Sequence, residues 1–182
     1  MQKGEKVNYF VDTEFSSDKV PSGNINLELI SLGLVDDKGR TFYAESTACN
    51  PEGFSSWIWQ NVVPHLEFLE FAGNKKEVVS TPTNIRMVGS PQEIAHALAD
   101  FIDNDGDPED PEFWIWFGQH DWVLLCWLFG IDIDDLPEGW PRTYREISQM
   151  PGNSWTPPKM GRNHHALDDA IWHKKIYELR TA

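Results

Sequence analysis

The sequence predicts a single domain of the mixed α/β class, in which helices flank one β-sheet. The chain has 182 residues, a length typical of one domain. Its composition, 40% hydrophobic and 24% charged, is that of an ordinary globular protein. Short runs rich in β-branched and aromatic residues alternate along it with segments of helical periodicity. We therefore expect residues 1–182 to form one layered domain.

Strands dominate the N-terminal part. The apolar run 7–11 predicts a buried strand that ends at Asp12. Residues 27–35 alternate in part between apolar and polar side chains, and a turn-forming segment follows at 36–39. Residues 40–46 then predict a third strand, so the three together form an antiparallel meander.

Two helices are expected in the middle of the chain. Residues 55–66 carry apolar side chains at helical spacing, with Ser55 or Ser56 as the N-cap. The next helix starts at Ser90, where a serine N-cap precedes a proline at the first helical position. The segment 67–89 between them shows no clear period and is left unassigned.

The C-terminal part returns to a strand and then to helices. Residues 113–117 are apolar on both faces, which is typical of an inner strand of a covered sheet. A helix over 121–129 follows, then a short helix over 143–149 and a last helix over 166–180. The predicted order is therefore three strands, two helices, a strand and three helices.

The charge excludes a broad basic surface for a polyanion. The chain has 29 acidic and 15 basic residues, a formal net charge of -14. Residues 141–182 contain seven basic and four acidic side chains, so that segment carries +3 and residues 1–140 carry -17. A phosphate could therefore be held near the C-terminal part.

The remaining composition favours a cytoplasmic protein without a membrane partner. No apolar run approaches the ~18 residues of a membrane span, and the first residues lack the apolar core of a signal peptide. Two cysteines cannot form a disulfide framework, so a reducing compartment is expected.

Acidic residues follow the first strand and begin the helix after the fourth. Asp12 and Glu14 are two residues apart on an extended chain, so their side chains project to one side and could share a cation. Asp121 lies at the start of a predicted helix. By itself, that position is equally typical of a carboxylate that stabilises the helix dipole.

A further set of histidines and acids precedes the last helix, in the sequence His164-His165-Ala166-Leu167-Asp168-Asp169. Spacing allows either His164 with Asp169 or His165 with Asp168 to converge on one point. Exposed helix-terminal residues are the alternative to both pairs.

Carboxylates in three segments together with one histidine are typical of a two-metal hydrolase. Without cations, carboxylates gathered at one point would repel one another, and some would stay protonated. All-oxygen ligation favours Mg²⁺ or Mn²⁺ over zinc.

These motifs resemble those of a known enzyme superfamily. Asp12-Thr13-Glu14, the turn 118–121 and the His164–Asp169 pair are similar to the three motifs of the DEDDh 3′–5′ exonucleases, which are RNase H-like. A closer resemblance, to the short mycobacterial-type exoribonuclease family, rests on segments spread over residues 7–180. Those segments are 12–15, 28–31, 56–57, 63–64 and the tryptophan-rich strand 113–117. The resemblance implies a mixed five-stranded sheet flanked by helices.

The resemblance also implies a mechanism. Two Mg²⁺ (or Mn²⁺) ions would be bound by four ligands, Asp12, Glu14, Asp121 and Asp169. Asp12 would bridge both ions, and His164, rather than His165, would be the general base. The reaction would release nucleoside 5′-monophosphates from the 3′ end of a single strand or a 3′ overhang, with RNA favoured over DNA. Many relatives pair as homodimers, which makes a homodimer one expected state.

Substrate contacts are sought among aromatic and basic side chains. Phe15 and Trp155 are candidates for stacking on terminal bases. Arg162, Lys159 and Lys174 are candidates for phosphate contacts in the positively charged segment.

Three other functions compete with this one. The first is a DNA exonuclease of the proofreading or repair type. The second is an acidic mimic of a nucleic acid, whose carboxylates would be spread over a surface and would need no metal. The third is an RNase H-like module that binds a partner without catalysis.

Overall fold

The structure, a computed structural model, describes residues 6–19, 25–73, 76–103, 110–130, 132–151 and 163–182. The strands in these residues are β1 Lys6–Lys19, β2 Ile25–Asp36, β3 Thr41–Ser46, β4 Asn84–Gly89, β5 Asp110–Ile115 and β6 Arg145–Glu146. The α-helices in the same residues are α1 Ser56–Asn61, α2 Pro91–Asp103, α3 Gln119–Phe129 and α4 Ala166–Thr181.

The strands form one mixed sheet in the order β4-β3-β2-β1-β5-β6. β1, β2 and β3 pair as the predicted antiparallel meander, while β5 and β6 add in parallel beside β1. The α/β class and the RNase H-like arrangement of sheet and helices are confirmed. The described sheet has six strands, one more than expected.

β1 continues to Lys19 instead of ending at Asp12, so Asp12 and Glu14 lie within the strand. The other differences from the sequence prediction concern short elements. β4 lies in the segment left unassigned, because this edge strand is only partly buried and its residues do not alternate clearly. Over 143–149 the structure has the two-residue strand β6 and a 3-10 turn at Ile147–Gln149 instead of a helix. α1 stops at Asn61 and a 3-10 turn follows at Val63–His65, where a proline interrupts helical hydrogen bonding.

The predicted helix starts are present. Ser55 is the N-cap of α1 and accepts a hydrogen bond from the backbone N–H of Ile58. Before α2, Ser90 and Glu93 form a reciprocal capping box: the Ser90 N–H donates to the Glu93 carboxylate, and the Glu93 N–H donates to the Ser90 hydroxyl.

Helices cover both faces of the sheet, and α4 packs on the face opposite α2 and α3. Along β1, Val7, Tyr9 and Val11 pack into the larger core with residues of α2 and α3, whereas Phe10 packs with residues of α4. Helices therefore cover both sides of β1, and the start of α4 lies near the middle of this strand, beside Gly33 and its partner Asp12.

Gly33 allows α4 to approach the sheet closely. This residue pairs with Asp12 across β1 and β2. A Cβ atom at position 33 would lie 2.3 Å from the backbone of Ala166 and Leu167, at the start of α4. A larger residue there would push α4 away from the sheet and separate Asp169 from Asp12.

Within the described ranges, no helix combines the length and the apolar character needed to cross a lipid bilayer.

Candidate active site

A cavity of about 660 Å³ opens beside the middle of β1, where Asp12 and Glu14 lie. Its walls come from β1, α1, α3 and α4. Five of its lining residues are the predicted catalytic and metal-binding residues, Asp12, Glu14, Asp121, His164 and Asp169. Side chains up to 157 positions apart in the sequence thus meet at one place. The four acids are called the pocket carboxylates below.

β1 contributes two of the pocket carboxylates. Asp12 pairs with Gly33 and Glu14 pairs with Ser31 of β2, immediately before a bulge between Glu14 and Phe15. The extended backbone between them sends both side chains into the cavity, as their spacing predicted.

α3 contributes Asp121, which is held by β1. Both the backbone N–H and the hydroxyl of Thr13 donate to Asp121 Oδ1, at 2.8 and 2.6 Å. The carboxylate is 7% exposed, so it is a buried group tied to the sheet rather than a solvated helix-terminal charge. Sequence reasoning missed Thr13, because nothing in its local pattern points to a partner 108 positions away.

The segment before α4 separates the two adjacent histidines. His164 adopts a left-handed backbone conformation with φ of 61°, and its N–H donates to Asp169 Oδ2 at 2.9 Å. Its ring lines the cavity and packs edge-on against Trp57, with centroids 4.8 Å apart.

His165 lies outside the cavity. It is 1% exposed, its ring stacks on Tyr43 with centroids 4.6 Å apart, and its Nδ1 accepts a hydrogen bond from the Asp168 N–H. It is thus the N-cap of α4. Of the two pairs that spacing allowed, the structure brings His164 and Asp169 into the cavity.

Burial raises the pKa values of the pocket carboxylates, and the charges of neighbouring pocket acids add to this at Asp12 and Glu14. Burial, followed by the charges of Asp121, Glu14 and Asp169, raises the pKa of Asp12 well above its usual range. Burial, with Asp169 and Asp121, raises the pKa of Glu14 to about 8, and burial raises that of Asp169 to about 7. The cluster therefore retains protons at neutral pH unless cations replace them.

The donor set suits a divalent cation. Glu14, His164 and Asp169 each offer a ligand atom, and these atoms lie within 4.8 Å of one another. Asp169 Oδ1 is buried and has no hydrogen-bond partner within the described part of the chain. A buried oxygen without a donor, surrounded by other carboxylates, fits a hard cation such as Mg²⁺ or Mn²⁺.

The cavity also keeps His164 neutral. Burial, followed by the charge of the nearby His65, lowers the pKa of His164 below its ordinary value. A neutral imidazole beside a cluster of acids can accept a proton at neutral pH.

His173 is a cavity residue that sequence reasoning missed. Its Nδ1 lies 2.9 Å from the Val11 carbonyl oxygen, and its Nε2 lies 3.8 Å from Asp12 Oδ1. Burial lowers the pKa of His173 to about 4, so the neutral ring donates from Nδ1 to that carbonyl. The contact joins α4 to β1 next to Asp12. His173 is four residues after Asp169, so the two side chains lie on one face of a helix, and this spacing could have identified His173 from the sequence.

Comparison with known proteins agrees with the motifs. The profile of the family described as 3′-5′ exoribonuclease Rv2179c-like domain matches residues 7–180. The chain belongs to this family. It is 35% identical over 177 residues to the 3′-5′ exoribonuclease Rv2179c of Mycobacterium tuberculosis strain ATCC 25618 / H37Rv, covering 96% of this chain and 93% of that protein. The same values apply to the 3′-5′ exoribonuclease MT2234.1 of strain CDC 1551 / Oshkosh. The resemblance stated from the motifs is confirmed, and the chain is a 3′–5′ exonuclease.

The candidate substrate contacts have different outcomes in this member of the family. Phe15 lines the cavity with its ring 5.2 Å from that of His120. Trp155, Lys159 and Arg162 lie outside the described residues.

Lys174, the remaining candidate phosphate contact, does not line the cavity. Its Nζ donates to the backbone carbonyls of Asp36 and Asp37, at 3.0 and 3.1 Å, so the ammonium group ties α4 to the end of β2.

Proposed function

We propose that this chain is a metal-dependent exoribonuclease that removes nucleoside 5′-monophosphates one at a time from the 3′ end of single-stranded RNA. The observation that carries the proposal is the convergence of four carboxylates, three of them buried and Asp12 partly buried, and a neutral histidine on one cavity. We propose RNA rather than DNA as the substrate because both relatives are named exoribonucleases.

The pocket carboxylates would hold two Mg²⁺ or Mn²⁺ ions. Asp12 is the candidate bridging ligand, because its pKa is raised by the charges of all three other carboxylates, which indicates a central position. When bound, the ions would stabilise charge on the phosphate and on the departing 3′ oxygen and lower the pKa of a water molecule.

His164 would act as the general base. When the oxygen of the water molecule attacks the phosphorus atom, a proton of that water would pass to the neutral ring of His164. The bond between phosphorus and the 3′ oxygen would then break. Trp57 against the ring edge and the bond from the His164 N–H to Asp169 restrict where this ring can lie. A positioned general base contributes ~10²–10⁴-fold to such a reaction.

The cavity wall offers aromatic surface for the 3′-terminal nucleotide. Phe15 and Trp57 both line it, and Trp57 is half exposed. Stacking of a base on such a ring is worth ~1–3 kcal/mol. Phe15→Ala should therefore weaken binding of the substrate, and an unchanged Kd would exclude stacking on that ring.

Digestion of matched substrates tests the proposed function. Single-stranded RNA, single-stranded DNA and a duplex with a 3′ overhang, each labelled at the 5′ end, are incubated with Mg²⁺ or with EDTA. We expect stepwise shortening of the RNA from its 3′ end with Mg²⁺ and none with EDTA. Faster digestion of DNA would favour a repair-type exonuclease, and digestion of no substrate would favour a nucleic-acid mimic or a binding module.

Two variants test the proposed base. His164→Ala should remove Mg²⁺-dependent shortening while the thermal unfolding temperature stays near that of the wild type. His96→Ala is the matched control, because His96 is an exposed histidine on α2 outside the cavity. Full activity of the His164 variant would refute the base assignment.

The homodimer and the cytoplasmic location remain predictions from the sequence. Sedimentation of the purified chain and fractionation of cells would test them.

A further inference from the structure

Two residues other than glycine adopt a left-handed backbone conformation in the described part of the chain, namely Phe117 and His164. Such a conformation costs free energy for any residue with a Cβ, so it persists where the surrounding structure enforces it and is frequent at functional sites. His164 lines the cavity as the proposed base. The second case, Phe117, has no role in the function proposed above.

The backbone of Phe117 is held from two sides. The Phe117 and Gly118 N–H groups donate to the two carboxylate oxygens of Glu146, at 3.0 and 3.2 Å. Gly118 packs so tightly that a Cβ there would lie 2.4 Å from the Ile115 side chain. The turn between β5 and α3 is thus clamped, and with φ of 53° at Phe117 the clamp directs a large apolar ring outward.

That ring is 67% exposed, the highest value for a large apolar side chain among the described residues. It is also the last of three aromatic rings in contact. Trp172 packs edge-on against Trp116 with centroids 5.6 Å apart, and Trp116 packs edge-on against Phe117 at 5.5 Å. Both tryptophans line the cavity. The series therefore begins inside the cavity and ends on the surface beside it.

The middle ring of this series is fixed in place. The guanidinium group of Arg180 lies 5.6 Å from the centre of the Trp116 ring, and its Nη1 donates to the backbone carbonyls of Ile147 and Met150. Phe117 therefore stands on a rigid neighbour. A rigid, exposed ring can bind a flat ligand with little loss of conformational entropy.

The charge of the protein indicates what that ligand is. With 29 acidic and 15 basic residues, the chain has few cations with which to hold the phosphates of a strand outside the cavity. Glu146, directly beneath the Phe117 backbone, would itself repel a phosphate. Around Phe117, stacking on the bases is therefore a better means of holding a single strand than contacts with its phosphates, and every base allows such stacking.

We propose that Phe117 is a stacking platform for a nucleobase upstream of the 3′-terminal nucleotide, outside the cavity that would bind the terminal residue itself. This inference rests on the proposed function. It implies that longer single-stranded substrates bind better than a dinucleotide that does not reach Phe117.

Comparison of two substrate lengths in one variant tests the platform. Phe117→Asn removes the ring but suits the left-handed backbone, because asparagine adopts this conformation more readily than most residues. The quantity measured is the ratio of kcat/KM for a heptanucleotide RNA to that for a dinucleotide. We expect this ratio to fall about tenfold through a rise in KM for the longer substrate, as loss of one base stack would produce.

Three further measurements distinguish stacking from other effects. Phe117→Trp should keep the wild-type ratio, since it retains an aromatic face. Leu179→Asn removes another exposed apolar side chain, on α4, and should also keep it. A series of RNA substrates carries one abasic site each, at successive positions upstream of the 3′ end. For the wild type, KM should rise about tenfold when the abasic site is at the position that stacks on Phe117. For Phe117→Asn, KM should not depend on the position of the abasic site.

An unchanged ratio in Phe117→Asn, or an equal loss for both substrate lengths, would overturn the platform. A wild-type dimer that becomes a monomer in Phe117→Asn on sedimentation would overturn it too, by assigning the ring to a protein interface. If the wild type cleaved neither RNA nor DNA, the proposed function would fail together with this inference. A wild type that cleaves RNA normally, with no effect of the variant, would reject the platform alone.

Discussion

Two groups of buried carboxylates lie on either side of the start of α4, and they meet the cost of burial in opposite ways. The pocket carboxylates face one another across the cavity. The second group, here called the Glu45 network, consists of Glu45 on β3 and Glu67 in the segment after α1. Glu45 is completely buried and Glu67 is 6% exposed.

The Glu45 network is paired throughout. The Glu45 carboxylate accepts hydrogen bonds from the Tyr43 hydroxyl and from three consecutive backbone N–H groups, those of Glu67, Phe68 and Leu69. Glu67 forms ion pairs with Lys76 at 2.9 Å and with Arg86 at 2.7 Å. Burial works against ionisation of Glu67, but the hydrogen bond from Lys76 and the charge of Arg86 lower its pKa overall.

This contrast indicates a structural role for the Glu45 network and a ligand-binding role for the pocket carboxylates. Each negative charge of the Glu45 network has donors or cations of the chain around it, so this network stabilises the fold. In the pocket, burial raises the pKa values of Glu14 and Asp169, the charges of Asp169 and Asp121 raise that of Glu14 further, and one buried oxygen of Asp169 has no donor within the described residues. The adjacent histidines divide in the same way, with His164 in the cavity and His165 buried near Glu67.

The sharpest test of this contrast is neutralisation of one pocket carboxylate. Asp169→Asn should lower Mg²⁺-dependent RNA cleavage by about 10³-fold or more, because it removes the negative charge of a proposed metal ligand. In metal-free protein it should leave the unfolding temperature equal to or above the wild-type value, since it removes repulsion.

The neighbouring Asp168→Asn is the matched control and should retain activity, because Asp168 is next in sequence but does not line the cavity. Wild-type activity in Asp169→Asn would mean that this carboxylate binds no essential ion.

The opposite result is expected for the Glu45 network. Glu45→Ala would leave three backbone N–H groups and a tyrosine hydroxyl without an acceptor in the interior, so the free energy of unfolding should fall by about 3 kcal/mol or more. Urea denaturation measures this change. Glu45→Gln should have an intermediate effect, and Glu77→Ala, at an exposed glutamate, should have almost none. A Glu45→Ala protein as stable as the wild type would disprove the stabilising role.

The raised pKa values in the pocket should also make the stability of the metal-free protein depend on pH. The folded pKa values of Glu14 and Asp169, about 8 and about 7, exceed their ordinary values of 4.5 and 3.8. The folded protein therefore holds more protons than the unfolded chain, and stability falls as pH rises. Between pH 6.5 and 8 the folded His173 is already neutral, and loss of its proton in the unfolded chain offsets only about 0.4 kcal/mol, so the metal-free protein should lose roughly 2 kcal/mol.

Thermal or urea unfolding at several pH values measures this loss. Saturating Mg²⁺ should reduce or reverse it, because cations then replace the protons. Glu14→Gln should flatten the slope in metal-free protein. A stability that rises with pH over this window, without metal, would contradict the raised pKa values.

The smallest expected effect concerns Thr13, which holds Asp121. Thr13→Val removes the hydroxyl donor and keeps the backbone one, so Mn²⁺ binding measured by calorimetry should weaken about tenfold, as expected for one lost hydrogen bond to a charged group. Thr13→Ser retains the hydroxyl and should restore the affinity. Equal affinities in the valine and serine variants would show that the hydroxyl does not position Asp121.

Local patterns in the sequence predicted β1, which carries two of the pocket carboxylates, and several elements of the surrounding fold. The apolar run before Asp12 identified β1, and the serine–proline start identified α2. The spacing of two residues between Asp12 and Glu14 placed both side chains on one side of an extended chain. These predictions succeeded because strand alternation and helix capping depend on residues a few positions apart.

The elements without such local signals were missed. β4 is a partly buried edge strand, and β6 is two residues long, so neither has room for a clear hydrophobic period. Both exist because they pair with β3 and β5, which is a tertiary contact.

By itself, the sequence determined the residue types, their spacing and the elements on which they stand, and through its motifs the family. Residue spacing left two histidine–aspartate pairs open, and only the family resemblance favoured His164 before the structure placed it in the cavity. Only the tertiary structure decided that Thr13 holds Asp121 and that His173 joins α4 to β1 beside Asp12. Those choices depend on contacts between residues 108 and 162 positions apart, and on the absence of a side chain at Gly33, which lets α4 rest against β2. Spacing along the chain cannot encode them, because they arise when helix and sheet pack together.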